Sequence, residues 1–288
     1  MIVVAPPLLV IRQARPSPLV LDSPHSGVVY PEDFQYAVNL MDLRRAEDTH
    51  VDALFDFCSE IEASMVAANF PRSYIDANRS LEEIDPELLD SPWPKPYRLS
   101  KKARLGKGLI WRMLDDGQKI YGKKLSVMEI EHRISHYWIP YHSKVKETLN
   151  LAYDAHGFFI HINCHSMPSV SDKYSTDQPG LIHPDIVLGD RDGTSADPEI
   201  TFYLRDAFLK RGYSCWINHP YKGVELIRAY SNPMLKRNSI QLEINRRLYM
   251  NEKSLDRHQG FDGLRADMKN ILKDLMAYCW ARNASSEN

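Results

Sequence analysis

Two segments of the chain share one shape: a short apolar run passes straight into a polar, histidine-bearing turn. In the first, Leu19-Val20-Leu21 leads into Asp22-Ser23-Pro24-His25-Ser26-Gly27. In the second, Phe158-Phe159-Ile160-His161-Ile162 leads into Asn163-Cys164-His165-Ser166-Met167-Pro168-Ser169. Strand ends in α/β proteins are where ligand-binding and catalytic groups gather. Neutral imidazole is the commonest side-chain metal ligand. A catalytic zinc takes three protein ligands, often two His and a carboxylate, and leaves a position for water. His25 and His165 are therefore expected to converge on one metal or hydrolytic centre. The plainer alternative is that each caps a turn or satisfies backbone groups.

A third, acidic ligand is sought in Glu47-Asp48-Thr49-His50-Val51-Asp52. Helical spacing sets Glu47 and Asp48 one turn before Val51, on the apolar side, where a carboxylate needs a partner. Alternatively they are first-turn acids that complement the helix dipole. Glu243 lies in Ile240-Gln241-Leu242-Glu243-Ile244-Asn245-Arg246 and shares a strand face with Gln241, two residues away. It can act as a general base on a metal-activated water, or simply pair with Arg246 or Arg247. Arg72 and the pair Asn78-Arg79 suggest recognition of an anionic small substrate, because the guanidinium fork grips carboxylates bidentately. A surface pair between Arg79 and Asp76 is the bland reading. Gly189-Asp190-Arg191-Asp192-Gly193 is either a substrate-contacting turn or an ordinary Gly/Asp turn. Asn218 to Gly223 again follows a strand pattern and could line the same cleft. Ser166 has no G-x-S-x-G elbow around it and makes a weak nucleophile.

These groups need strands to carry them. Short buried strands are expected at 8–11, 18–22, 63–68, 158–163, 185–189, 213–218 and 239–244. Val51, Leu54, Phe55, Cys58 and Ile61 follow the i, i+3, i+4, i+7 spacing of a helix that begins near Asp42. Further helices are expected near 118–155, broken around Pro140, and at 198–211 and 255–281, with a fraying tail from Asn283. Pro86, Pro92, Pro94 and Pro96 argue for an irregular excursion or lid over 80–108. Strands alternating with helices, without repeat or linker, give one α/β sandwich with a mostly parallel or mixed sheet, residues 1–288 forming a single domain.

Composition excludes some functions. A net charge of −2 gives no basic excess for nucleic acid, and Lys101-Lys102-Ala103-Arg104 reads as a solvated loop. The four cysteines, Cys58, Cys164, Cys215 and Cys279, form no CxxC pair, and their low density fits a reducing compartment. The apolar N-terminus holds Pro6 and Pro7 and lacks a basic leader, so neither signal peptide nor membrane span is expected, and the cytoplasm is the default. Nothing fixes an oligomeric state.

With these residues assembled, the chain resembles the N-formylglutamate amidohydrolase family from about Asp22 to about Asn251. The resemblance rests on Ser23-Pro24-His25-Ser26-Gly27, Asp48-Thr49-His50-Val51-Asp52, Phe70 to Arg79, Cys164-His165-Ser166-Met167-Pro168, Gly189-Asp190-Arg191 and Leu242-Glu243-Ile244-Asn245-Arg246, in that order. The family looks like a distant branch of the zinc carboxypeptidase and aspartoacylase group. That implies a three-layer α/β/α sandwich around a mixed, twisted sheet, and a one-zinc hydrolase acting on an acidic N-acyl amino acid, N-formylglutamate of histidine breakdown being the namesake. By motif His25 and His165 match the histidine ligands, Asn78 and Arg79 the pair that grips a substrate carboxylate, and Glu243 the general base. The chain departs at Val28, where the carboxypeptidases place a ligand Glu three residues after the first His. The acidic ligand is then sought elsewhere, with Asp48 preferred to Glu47. It also carries Asn163 where the family usually has Asp. A peptidase or another deacylase on the same scaffold, and a non-catalytic binder of an acidic small molecule, are the rival readings.

Overall fold

The computed structural model describes residues 2–5, 8–11, 15–172 and 178–285. Among them are eight strands: β1 (Ile2–Ala5), β2 (Leu8–Ile11), β3 (Leu19–Ser23), β4 (Ser64–Ala68), β5 (Phe159–Met167), β6 (Ile186–Gly189), β7 (Cys215–Ile217) and β8 (Arg237–Asn245). They form one sheet in the order β1-β2-β4-β3-β5-β8-β6-β7. The central four, β4-β3-β5-β8, are parallel, while β2 and β6 run antiparallel to their inner neighbours. The sheet is thus mixed, as expected.

The helices are α1 (Leu40–Arg44), α2 (Val51–Leu54), α3 (Lys101–Arg104), α4 (Val127–Arg133), α5 (Ile139–His156), α6 (Pro198–Lys210), α7 (Glu225–Tyr230) and α8 (Gly260–Ser285). Two apolar clusters occupy the two faces of the sheet. On one, Leu19, Leu21, Ile160, Ile162, Ile240 and Leu242 pack with residues of α2, α6 and α8. On the other, Val20, Val66 and Phe159 pack with Tyr141, Val145 and Leu149 of α5. This is the α/β/α arrangement. Period-2 alternation makes it possible: each strand gives alternate side chains to alternate faces.

The alternation also positions the chemistry. In β5 and β8 the middle of the first face is apolar (Ile160, Ile162 and Cys164 with Ile240, Leu242 and Ile244). The reverse face carries His161, Asn163 and His165 in direct register with Ser239, Gln241 and Glu243. A fully buried Leu or Ile contributes roughly 1.5–3 kcal/mol, so one apolar face holds the strands in place while the other is given to polar groups.

Four expectations are corrected. The His165 segment is not a turn: β5 runs on through His165 and Ser166 to Met167. The helix expected from Asp42 is broken into α1, α2 and a 3-10 segment, Asp56–Ile61. Its apolar positions Val51, Leu54, Phe55, Cys58 and Ile61 are all buried, but His50 has φ 67°, left-handed backbone that cannot continue an α-helix. The long helix starts only at the Ser126–Glu129 capping box. It widens into a π segment, Ile134–Trp138, just before Pro140, whose missing N–H and ring crowd the preceding turn. The C-terminal helix runs Gly260–Ser285, shifted toward the C-terminus from the expected 255–281; residues 286–288 lie outside the described residues.

Candidate metal centre and active site

His25 sits in the turn after β3, with the Ser23 and Ser26 hydroxyls 2.8 Å apart. This turn is pressed against Asn69-Phe70: a Cβ on Gly27 would come within 2.4 Å of the Asn69 carbonyl carbon, so only glycine fits. The His25 carbonyl accepts from the Asp48 N–H at 3.0 Å, which pins the α1–α2 loop to the same turn. Asp48 is therefore delivered by a loop, not by a helix's first turn.

The result is a compact cluster. His25, Asp48 and His165 are buried, and one potential ligand atom from each lies within 4.8 Å of the others. Asp48 Oδ2 is 2.9 Å from His165 Nδ1 and 3.4 Å from His25 Nδ1. Asp48 Oδ1 receives Arg246 Nη2 at 3.1 Å and has Arg72 at 3.7 Å. Burial opposes its ionisation, yet His165, His25 and Arg72 hold its pKa well below the ordinary carboxylate range. Glu47 is outside the cluster and bonds instead to the Tyr30 hydroxyl at 2.5 Å. Of the two acids, Asp48 lies in the cluster and Glu47 does not.

Each imidazole is oriented from behind. His25 Nε2 bonds Asp76 Oδ1 at 2.6 Å, while His25 Nδ1 is buried with no hydrogen-bond partner. An orphaned buried nitrogen facing a carboxylate and a second imidazole is what a metal site looks like with protein atoms alone. The N, N, O donor set suits zinc. The distal N–H of a ligating His commonly goes to a carboxylate or carbonyl. Asp76 does this for His25, and burial notwithstanding, His25, Arg72 and Arg79 keep its carboxyl strongly acidic. It also accepts from Arg72 at 3.1 Å, Trp111 Nε1 at 3.2 Å and the Asn78 N–H at 2.9 Å. Asp76 is thus no surface partner of Arg79.

For His165 the acceptor is Asn163 Oδ1, 2.8 Å from Nε2. Asn163 Nδ2 in turn donates to Asp22 Oδ1 at 2.9 Å. Asp22, register partner of Asn163 on β3, also receives His161 Nε2 at 2.8 Å and the Tyr141 hydroxyl at 2.6 Å. The negative charge that Asn163 cannot supply is one residue further back, relayed through an oriented amide.

Glu243 is buried and accepts from Gln241 Nε2 at 2.8 Å. Its expected alternative partners are engaged elsewhere, Arg246 with Asp48 and Arg247 with Asp185 at 2.8 Å. Burial raises the Glu243 pKa and nearby Asp48 adds to the shift, against the pull of His165 and Arg72.

These groups open into a cavity of about 420 Å3 that Arg72, Asn78, Arg79, Glu243 and Arg246 also line. Arg72 faces it, but its charge is taken by Asp76 and Asp48, so it braces the centre. Asn78 Nδ2 lies 3.0 Å from His165 Nε2 and 3.3 Å from Asn163 Oδ1, with its Oδ1 held by the Leu226 N–H at 2.9 Å. Among the described residues the Arg79 guanidinium bonds to two carbonyls, of Lys107 at 3.3 Å and of Asn78 at 3.1 Å. Arg191 is not among the lining residues. It stands behind the wall, its backbone N–H on the Lys222 carbonyl at 2.9 Å and its guanidinium on the Gly223 carbonyl at 3.4 Å. Tyr221, Lys222 and Gly223 themselves do line the cavity. The Lys101–Arg104 cluster is not a solvated loop but α3, and it turns Lys101 and Lys102 to the cavity.

The sequence model of the N-formylglutamate amidohydrolase family matches residues 17–250, which include every group of this centre. The chain belongs to the N-formylglutamate amidohydrolase family. It is 28% identical over 276 residues to an N-formylglutamate deformylase of Pseudomonas aeruginosa, covering 92% of this chain and 94% of that one. A Pseudomonas putida N-formylglutamate deformylase is 27% identical over 243 residues, 82% of each chain. The crystal structure of an N-formylglutamate amidohydrolase from Ralstonia eutropha superposes with a TM-score of 0.90 at 42% identity, covering 94% of this chain and 98% of that one. The Atu2144 product of Agrobacterium tumefaciens shares the fold, with a TM-score of 0.69 at 18% identity and 96% of each chain covered. Among the described residues no helix of this family member is long and apolar enough to cross a membrane.

Proposed function

We propose that the chain is a zinc-dependent amidohydrolase that cleaves the linear amide of N-formylglutamate to formate and glutamate. The observation that carries the proposal is the unpartnered, buried Nδ1 of His25, facing Asp48 and His165 with Glu243 in register beside them. The names of the Pseudomonas and Ralstonia relatives support the substrate.

His25, Asp48 and His165 would hold the metal, which when bound polarises the amide carbonyl and acidifies water. Glu243 takes the proton of the attacking water and later gives it to the leaving amine. Its burial-raised pKa suits both halves of that transfer. Asp76 and Asn163 fix the tautomers, keeping Nε2–H pointed away from the centre and Nδ1 pointed into it. Arg79, with carbonyl partners only, receives a substrate carboxylate, and positioning supplies much of the rate. The low cysteine density of the chain is in keeping with a reducing, cytoplasmic setting.

A substrate panel tests this reading: N-formylglutamate, other N-acyl amino acids and short peptides, with zinc measured in the same preparation. Turnover of N-formylglutamate above the others is expected. Preference for peptides would move the enzyme to another activity, and a folded protein that binds acidic ligands without turnover would remove the hydrolase reading.

A further inference from the structure

The following rests on that reading. N-Formylglutamate carries two carboxylates, and a buried carboxylate needs a cationic or hydrogen-bonding receiver. The cavity has several cations, but most are already matched, and Lys101 is exposed to solvent and has a partner of its own. Arg72 is on Asp76 and Asp48, Arg246 on Asp48, Lys222 on Asp192 at 2.8 Å, and Lys107 on Asp115. Among the described residues Arg79 makes no ion pair with a carboxylate, and its guanidinium bonds to carbonyls. Lys102 lines the same cavity, is half-buried, and its ammonium makes no hydrogen bond or ion pair with another described residue.

Lys102 is also held still relative to the metal centre. It lies in α3, capped by the Ser100 hydroxyl on the Ala103 N–H. Its carbonyl accepts the Lys107 N–H at 2.9 Å and the Leu105 N–H at 3.0 Å, which closes the segment on itself. The same segment then pairs with Asp76, the residue behind His25. The Leu109 carbonyl receives the Asp76 N–H at 2.8 Å, and Trp111 Nε1 donates to Asp76 Oδ2. Burial, reinforced by Arg79 and Lys107 and opposed by Asp115, brings the Lys102 pKa down to about 8. Crowded, half-desolvated positive charge with no ion-pair partner among the described residues is relieved by an arriving anion.

We propose that Lys102 is the specificity residue for the side-chain carboxylate of the substrate, with Arg79 taking the α-carboxylate. The assignment follows position. Arg79 adjoins Asn78, whose amide touches His165, which ties it by chain to the centre; Lys102 lines the cavity from α3, in the 80–108 segment.

The test compares N-formylglutamate with its neutral isostere N-formylglutamine in wild type, Lys102→Met and Lys102→Arg. Lys102→Met is expected to raise KM for N-formylglutamate by about 10–100-fold, the range of a hydrogen bond to a charged group. kcat should stay within about threefold, the KM for N-formylglutamine should not change, and Lys102→Arg should keep the preference for the dicarboxylate. A loss shared equally by both substrates, or no loss on either, overturns the assignment. Calorimetric binding of glutamate and glutamine to the same proteins gives a readout that needs no turnover. Should N-formylglutamate not be hydrolysed at all, weaker glutamate binding in Lys102→Met alone still supports Lys102, whereas unchanged glutamate binding rejects it.

Discussion

His165 and Glu243 stand directly opposite one another on adjacent parallel strands, β5 and β8. Residues paired in register project to the same face of a sheet, so the imidazole that faces Asp48 and the carboxyl that would move the proton share one wall of the cavity. No loop intervenes between them. This fixes their separation by backbone hydrogen bonding, on rigid elements rather than mobile ones.

Removing the carboxyl while keeping its shape separates proton transfer from assembly of the site. Glu243→Gln is expected to lower kcat about 10^2–10^4-fold, the usual contribution of a positioned acid–base group. Gln241 remains as a hydrogen-bond partner, so folding and metal content should be unchanged. Steady-state kinetics with elemental analysis checks this; full activity in the variant would remove Glu243 from the mechanism.

The orientation of His25 by Asp76 makes a different claim. Asp76→Asn keeps the volume but gives up the charge opposite His25 Nε2 and Arg72. Metal affinity should fall about 10–100-fold, as when other orienting carboxylates are removed. Competition against a chelating dye measures it, and an unchanged affinity would show that Asp76 serves the fold alone.

Asp22 links the site to stability. Burial alone would raise its pKa, but His161, Tyr141 and Asn163 outweigh burial and hold it below the ordinary value. A carboxyl whose folded pKa is depressed stabilises the fold fully above its unfolded pKa of about 3.9. That stabilisation is lost as pH falls through the folded value. Asp22→Asn is therefore expected to cost about 1–3 kcal/mol at pH 7, with the gap to wild type closing below about pH 4. Urea midpoints from pH 7 to 3 follow this gap; a gap independent of pH would place the Asp22 contribution outside its charge.

Much of this was legible in the residues themselves. The paired His contexts, the acid at Asp48, the Asn78-Arg79 pair and Glu243 on a strand all mark positions that the fold brings to one cavity. What escaped was mainly non-local. Asp76 and Asp22 look like ordinary acids until β3, β4 and β5 lie side by side, since their partners are 51 and 139 residues away. The continuation of β5 did leave a signal. His161, Asn163 and His165 alternate with Ile160, Ile162 and Cys164, a period of two that a histidine-rich turn would not keep. Arg191 and the α3 lysines lie elsewhere than expected for the same reason: what faces the cavity depends on how each loop closes, and the left-handed backbone of Arg191 (φ 54°) is invisible in composition.

The central claim is that His25, Asp48 and His165 form a metal centre on which hydrolysis depends. The most direct test is to strip the protein with a chelator and titrate zinc back while following N-formylglutamate hydrolysis and bound metal in the same samples. Activity should be absent at the start, rise linearly, and saturate at one zinc per chain, with His165→Ala neither retaining the metal nor regaining activity. Full activity in metal-free protein, or saturation unaffected by His165→Ala, would contradict the account.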